Sequence, residues 1–126
     1  MRKLNFITFF FLIIICISCS DDELTQEQEA ENLLQLFSEI EDLASSVDCT
    51  DSSEWTFTGY GSKACGGPIN FIAYSKNIDT VLFLEKIEAY RIEQQNFNQK
   101  WSIMSDCSVP LAPNSVRCEN GNPIFE

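Results

Sequence analysis

Residues 79–104 read DTVLFLEKIEAYRIEQQNFNQKWSIM. Phe83, Ile87, Tyr90, Gln94, Phe97, Trp101 and Met104 recur at alternating intervals of four and three, which places them on one face of a 3.6-residue repeat. Asp79 stands where an N-cap oxygen is wanted. Glu85, Lys86, Glu88, Glu93 and Lys100 fall outside the stripe. The spacing predicts a helix of about 24 residues, with one face to bury and the other in water.

Upstream, Thr25-Gln26-Glu27-Gln28 fits a capping box, in which Thr25 serves the amide of Gln28 and Gln28 reaches back. Leu33, Phe37, Ile40, Ala44 and Val47 follow at spacings of four and three, with Leu36 and Leu43 widening the stripe. A first amphipathic helix over 26–47 is expected. Asp48 to Glu54 reads as a loop by composition. Trp55, Phe57 and Gly59 alternate with Thr56 and Thr58, which suits a half-buried strand over 54–60. Residues 69–74 are apolar and aromatic but too short for the pattern to choose between strand and helix. Beyond the long helix, Pro110 and Pro113 enforce an extended connection. Val116-Arg117-Cys118 and Pro123-Ile124-Phe125 then flank Glu119-Asn120-Gly121-Asn122, and Asn-Gly between apolar runs signals a tight hairpin. These elements predict one α+β domain over 26–126, two amphipathic helices with a small antiparallel sheet that includes the C-terminal hairpin.

The 126-residue chain opens Met1-Arg2-Lys3, continues in an almost unbroken apolar run from Leu4 to Ile17, and reaches Ser18. A basic start, a short apolar core and a small closing residue make the pattern of a secretory signal over 1–18. The run falls short of the roughly 20 residues that span a bilayer core, and no basic flank follows it. Cys16-Ile17-Ser18-Cys19 resembles the lipobox of bacterial lipoproteins, with Ser18 as the small residue before the cut. The resemblance implies lipidation at Cys19 and a membrane partner held through that lipid. Several acyl chains are what stable anchoring requires, since one chain holds only marginally. Ser20-Asp21-Asp22-Glu23 resembles the acidic signal that sends lipoproteins of Bacteroidota-type bacteria to the outer face of the outer membrane. Residues 19–25 then form an acidic tether.

Charge narrows the partners. The chain has 19 Asp+Glu against 8 Lys+Arg and no His. Arg2 and Lys3 leave with the signal, so the mature chain carries about −13. Such a surface repels phosphate backbones, and nucleic acid is not an expected partner. Without histidine there is no Ser-His-Asp or Cys-His apparatus. Setting aside Cys16 and Cys19 leaves Cys49, Cys65, Cys107 and Cys118, an even number in an exported chain, which predicts two disulfides. Their spacing lacks the close pairs of a structural zinc site. Cys49–Cys65 and Cys107–Cys118 are the expected pairs because each closes a modest loop, with crossed pairings left open.

Gly61-Ser62-Lys63-Ala64-Cys65-Gly66-Gly67-Pro68, Ile72-Ala73-Tyr74-Ser75, Ile78-Asp79, Tyr90 with Asn98, Ser105-Asp106-Cys107, and Cys118 with Gly121 together resemble a small exported bacterial domain over residues 49–126. That family implies a domain boundary and four structural cysteines, and carries no established activity.

Asp48, Asp51 and Glu54 sit three apart in one loop, but the pattern of an EF-hand is missing and a solvated acidic loop is expected. Glu85, Glu88 and Glu93 lie beside Lys86 and Arg91, which suits exposed charge pairing. No metal or cofactor is expected. Gly61 to Pro68 is the segment that looks built for contact, with Lys63, Gly66 and Gly67 as a possible binding loop. It lacks the P-loop pattern. A steric role takes precedence: the glycines permit close backbone packing, Pro68 starts the next element, and an exposed Lys63 contributes little to stability. The expected function is a non-enzymatic, surface-anchored binding or accessory module with a protein or glycan partner. The alternative is an inhibitor of an extracellular hydrolase that inserts Lys63.

Overall fold

A computed structural model describes residues 23–126. The signal segment 1–18, Cys19 and residues 20–22 of the acidic tether lie outside the described residues.

The first helix, α1, spans Gln26–Ala44 and begins on the expected capping box: Thr25 Oγ1 accepts from the Gln28 amide at 3.3 Å, and Gln28 Oε1 accepts from the Thr25 amide at 2.9 Å. It stops three residues before the expected end, where the Ser45 and Ser46 hydroxyls donate to the carbonyls of Glu41 and Leu43 at 2.7 Å each. Serines at a helix end compete with the backbone for its own acceptors. Val47 is left exposed.

Strand β1 (Trp55–Tyr60) follows a short 3₁₀ turn at Ser52–Glu54. The undecided apolar stretch is strand β2 (Asn70–Ser75), antiparallel to β1 from Trp55↔Ser75 to Tyr60↔Asn70. Helix α2 (Thr80–Lys100) opens on Asp79, whose Oδ1 accepts from the Leu82 amide at 3.0 Å. Strands β3 (Val116–Glu119) and β4 (Asn122–Phe125) form the expected hairpin, with Asn120 and Gly121 at φ of 51° and 81° as the tight turn requires. The architecture is α+β, and its strands divide into two separate two-stranded sheets.

Alternation along β1 and β2 sends one set of side chains to the helices and the other to the hairpin. Tyr60, Ile72 and Tyr74 join Leu33, Phe37, Ile40, Ala44, Phe83, Ile87 and Tyr90 in the main core. Trp55, Phe57 and Ala73 face Val116 and the Cys49 and Cys118 sulfurs in a second, smaller core. The β1–β2 hairpin is therefore the middle of three layers.

Helix α2 ends before the stripe does. Ser102 takes φ of 51°, its amide reaches the Gln99 carbonyl at 3.4 Å, and the Ile103 amide reaches the Asn98 carbonyl at 2.9 Å. That is the Schellman pattern, with serine where glycine is commoner. It removes Met104 from the core face and leaves it 91% exposed.

The cysteines pair as Cys49–Cys118 and Cys65–Cys107, so one bridge is nested within the other. This corrects the expected Cys49–Cys65 and Cys107–Cys118 pairs. Closure entropy changes by only about 0.6 kcal/mol per doubling of a loop, too little to select a pairing against the geometry of the fold. Cys49 is instead drawn to the hairpin, where its amide donates to the Gly121 carbonyl at 2.9 Å. Among the described residues, no helix is long and apolar enough to cross a membrane.

Candidate functional site

The connection from β1 to β2 carries Lys63, Gly66 and Gly67, and α2 holds its base. Gln94 Oε1 accepts from the Ser62 amide at 2.9 Å, and Asn98 Nδ2 donates to the Ser62 carbonyl at 2.7 Å. The two side chains stand one helical turn apart, so a single backbone unit of the loop is gripped at both its polar ends. The close packing expected of the loop glycines occurs here, at Gly61. With φ of 73°, a Cβ on Gly61 would lie 2.5 Å from Gln94 Oε1 and 2.8 Å from Ile69 Cδ1.

Gly66 and Gly67 serve the tight turn that the glycine-rich segment can hold, and not the close packing seen at Gly61. A Cβ on either would meet nothing within 4 Å, but their φ angles are 91° and 82°. Those angles close a turn in which the Gly66 amide donates to the Lys63 carbonyl at 2.9 Å and the Lys63 amide to the Gly67 carbonyl at 3.0 Å. Pro68 packs on Gly59 and precedes the start of β2 by two residues.

Lys63 departs from expectation most. Its ammonium donates to the Ser108 carbonyl at 2.6 Å, to Ser108 Oγ at 2.9 Å and to Asp106 Oδ1 at 3.1 Å, and its side chain is only 16% exposed. Lysine and the Cys65–Cys107 bridge together clasp the loop to residues 105–108. Lys63→Ala is accordingly expected to lower stability by about 0.5–1 kcal/mol, since the exposed Ser108 and Asp106 acceptors regain water while the contact bracing the loop is lost, as thermal or urea unfolding would read. A loss below a few tenths would return the lysine to the solvent-exposed role expected from sequence.

The Ser108 hydroxyl, then the Lys63 ammonium, hold the Asp106 carboxyl below its ordinary range. A depressed folded-state pKa stabilises above the unfolded value and ceases to do so as pH falls through the lowered one. Hydrogen exchange over residues 102–109 should therefore be flat from pH 8 to about pH 5 after correction for intrinsic rates, and should quicken below about pH 4. Loosening that begins near neutrality would contradict the clasp.

Between this loop and the C-terminal half of α2 lies an open groove of about 660 Å³. Arg91, Gln95, Asn98, Gln99 and Ser102 line its helix side, and Gly61, Ser62, Lys63, Ala64, Gly66 and Gly67 line the loop side, with the Lys63 ammonium turned to Asp106 and Ser108. Among the described residues, no aspartate or glutamate lines it, although the chain carries −11. Arg91 is steadied by a two-pronged pair with Glu88 at 2.8 and 2.7 Å and by Gln95 Oε1 at 3.0 Å. The groove thus offers amides, hydroxyls, peptide groups and a guanidinium edge.

Several carboxylates elsewhere are engaged. Lys86 pairs with Glu39 of α1 at 2.6 Å, Asp51 caps the 3₁₀ turn, and Glu29 accepts from Lys100 Nζ and Trp101 Nε1 at 2.7 Å each. Hydrogen bonds hold Glu29, Asp51 and Glu88 below the ordinary carboxylate range, through Lys100, Ser53 and Arg91 respectively. That is the reverse of the shift a general acid needs near neutral pH. Among the described residues, no group of three or more His, Cys, Asp or Glu is placed to hold a metal ion.

Sequence reasoning did not single out Gln94 as a loop clamp. Its signal was present: a glutamine at a core position of an apolar stripe calls for a polar partner, here the loop backbone. Gln95 and Gln99, on the outer flank of the same helix, carried no such signal. No protein-family model, curated protein or solved structure matches the chain.

Proposed function

We propose that the protein is a lipoprotein, anchored through Cys19 at the cell surface, whose domain binds a partner non-covalently in the groove between the Gly61–Pro68 loop and α2. The observation that carries this reading is the groove itself, about 660 Å³, lined by no acidic residue among those described, in a strongly acidic chain. Its walls are preorganised by a disulfide, a lysine clasp and the Gln94–Asn98 grip, which lowers the ordering cost of binding. Amides and hydroxyls in that arrangement suit a neutral polar ligand, such as a peptide main chain or a glycan. The hydrolase-inhibitor alternative depended on Lys63 as the inserted group, and the clasp supports it less.

The test is a binding screen of soluble peptides and oligosaccharides against the mature chain. A true groove ligand should lose more than about 1 kcal/mol of affinity on Gln99→Ala, the usual measure of a residue that matters to binding. Binding should vanish on Ala64→Trp, which fills the groove from a loop position with no positive φ. Both variants should melt as the parent does, because each residue is exposed. A ligand indifferent to both substitutions binds elsewhere and sinks the assignment.

A further inference from the structure

Glu23, the first described residue, lies with its carboxylate 3.4 Å from Lys100 Nζ at the end of α2. Glu29, in the first turn of α1, binds Lys100 and Trp101. The chain therefore enters the domain where α1 begins and α2 ends. The segment leaving α2 at that same end turns outward at Ser102 and exposes Met104 at 91%, then Val109 at 84% and Leu111 at 95%. Residues 105–108 between them are fixed by the Cys65–Cys107 bridge and the Lys63 clasp. Residues 109–113 read Val-Pro-Leu-Ala-Pro, with no charge, in a chain of 19 acidic residues. Three large apolar side chains so nearly naked, on a braced segment, call for a cover.

The tether says what that cover is. Four Cα–Cα steps separate Cys19 from Glu23, a reach of about 14 Å at most. Four more lead from Lys100 to Met104, the same reach again. A lipid on Cys19 thus puts the leaflet surface within reach of Met104, where the exposed apolar segment begins. We propose that Met104, Val109 and Leu111 rest in the lipid surface that holds the Cys19 acyl chains, a second contact that orients the domain. This rests on the lipoprotein reading above. The contact is apolar in kind: the domain's charge has the wrong sign for anionic headgroups, so hydrophobic burial supplies the hold. Ser102 and Ile103 line the groove, so this contact also fixes how the groove faces relative to the membrane.

Met104 is itself the probe, because the chain has two methionines and the other, Met1, leaves with the signal. Val81→Met supplies a control at the opposite end of α2, about 28 Å from Lys100 at helical rise. Val81 is 68% exposed, less than Met104, so without lipid position 104 should oxidise at least as fast. The mature variant is reconstituted in phosphatidylcholine vesicles, floated, and treated with chloramine-T, an anionic water-soluble oxidant. Sulfoxide at each position is read by peptide mass. The expected result is at least fivefold slower oxidation at 104 than at 81, with the difference reduced by the added pair Val109→Ser and Leu111→Ser. Equal rates in a protein that floats overturn the contact and leave the lipid anchor intact. A protein that does not float overturns the anchor and the contact together. Protection at 104 that persists without vesicles, with cross-linking between chains, assigns the patch to a second copy and overturns the lipid contact.

Discussion

Replacing Cys49 and Cys118 together by alanine is expected to lower unfolding free energy by about 4 kcal/mol, a large share of the 5–15 kcal/mol typical of a domain. The bridge joins residues 69 apart in sequence, and the chain-entropy model makes the cost of losing it grow with the logarithm of that span. The Cys65–Cys107 bridge spans 42 residues and differs in that model by only a few tenths of a kcal/mol. Burial separates the two. Cys49 is almost wholly buried against Trp55 and Val116, and Cys118 packs beside it, so their loss also opens a void in the smaller core. Without the bridge, the hairpin is held to the body chiefly by the Cys49–Gly121 contact, by the residue-118 amide on Ser52 Oγ at 3.0 Å, and by the edge-on Phe57–Phe125 pair.

Urea unfolding of the two double variants should rank Cys49→Ala with Cys118→Ala below Cys65→Ala with Cys107→Ala. Mild reduction gives an independent reading. Thiolate attack depends on access, and both Cys65 and Cys107 are exposed, so that bridge should open first while the domain stays folded. The opposite order, or unfolding coincident with the first bridge to open, would contradict the division of labour between them.

Phe83→Ala is the second large effect, an expected loss of about 3–5 kcal/mol. Phe83 is 0% exposed and lies 4.5 Å from the Tyr74 ring, centroid to centroid. It therefore joins α2 to β2 at the centre of the main core. Met104→Ala makes the informative comparison, because the periodic stripe of residues 79–104 puts both side chains on one face. The Schellman turn at Ser102 separates them, and Met104→Ala should leave unfolding within about 0.5 kcal/mol of the parent. Equal losses at 83 and 104 would mean that the helix runs on through Met104 and that the turn is misplaced.

The fold class was readable because its signals are local. The Thr25–Gln28 capping box, the Asp79 cap, the Asn120-Gly121 turn and the helical stripes each depend on residues within a few positions of one another. Residues 69–74 stayed ambiguous because a six-residue apolar run satisfies a strand or a helix equally. Pairing with β1 decided it, as the Trp55↔Ser75 register shows. The candidate site was legible only in outline. The loop was visible from its glycines, yet which glycine is packed and which is bent depended on what α2 places beside it.

The sequence by itself determined two amphipathic helices, a hairpin at the C-terminus, four cysteines of even count and a strongly acidic surface. Those features follow from periodicity, capping and composition, which act over one or two turns of chain. The tertiary structure alone decided the nested disulfides, the division of the strands into two sheets, the inward clasp of Lys63 on Asp106 and Ser108, and the groove beside Arg91 and Gln99. Each of these joins groups that lie tens of residues apart, Lys63 and Ser108 being 45 positions distant. Contacts at such separations are chosen by the packing of whole elements around Phe83 and Ile40, and no short window of sequence contains that choice.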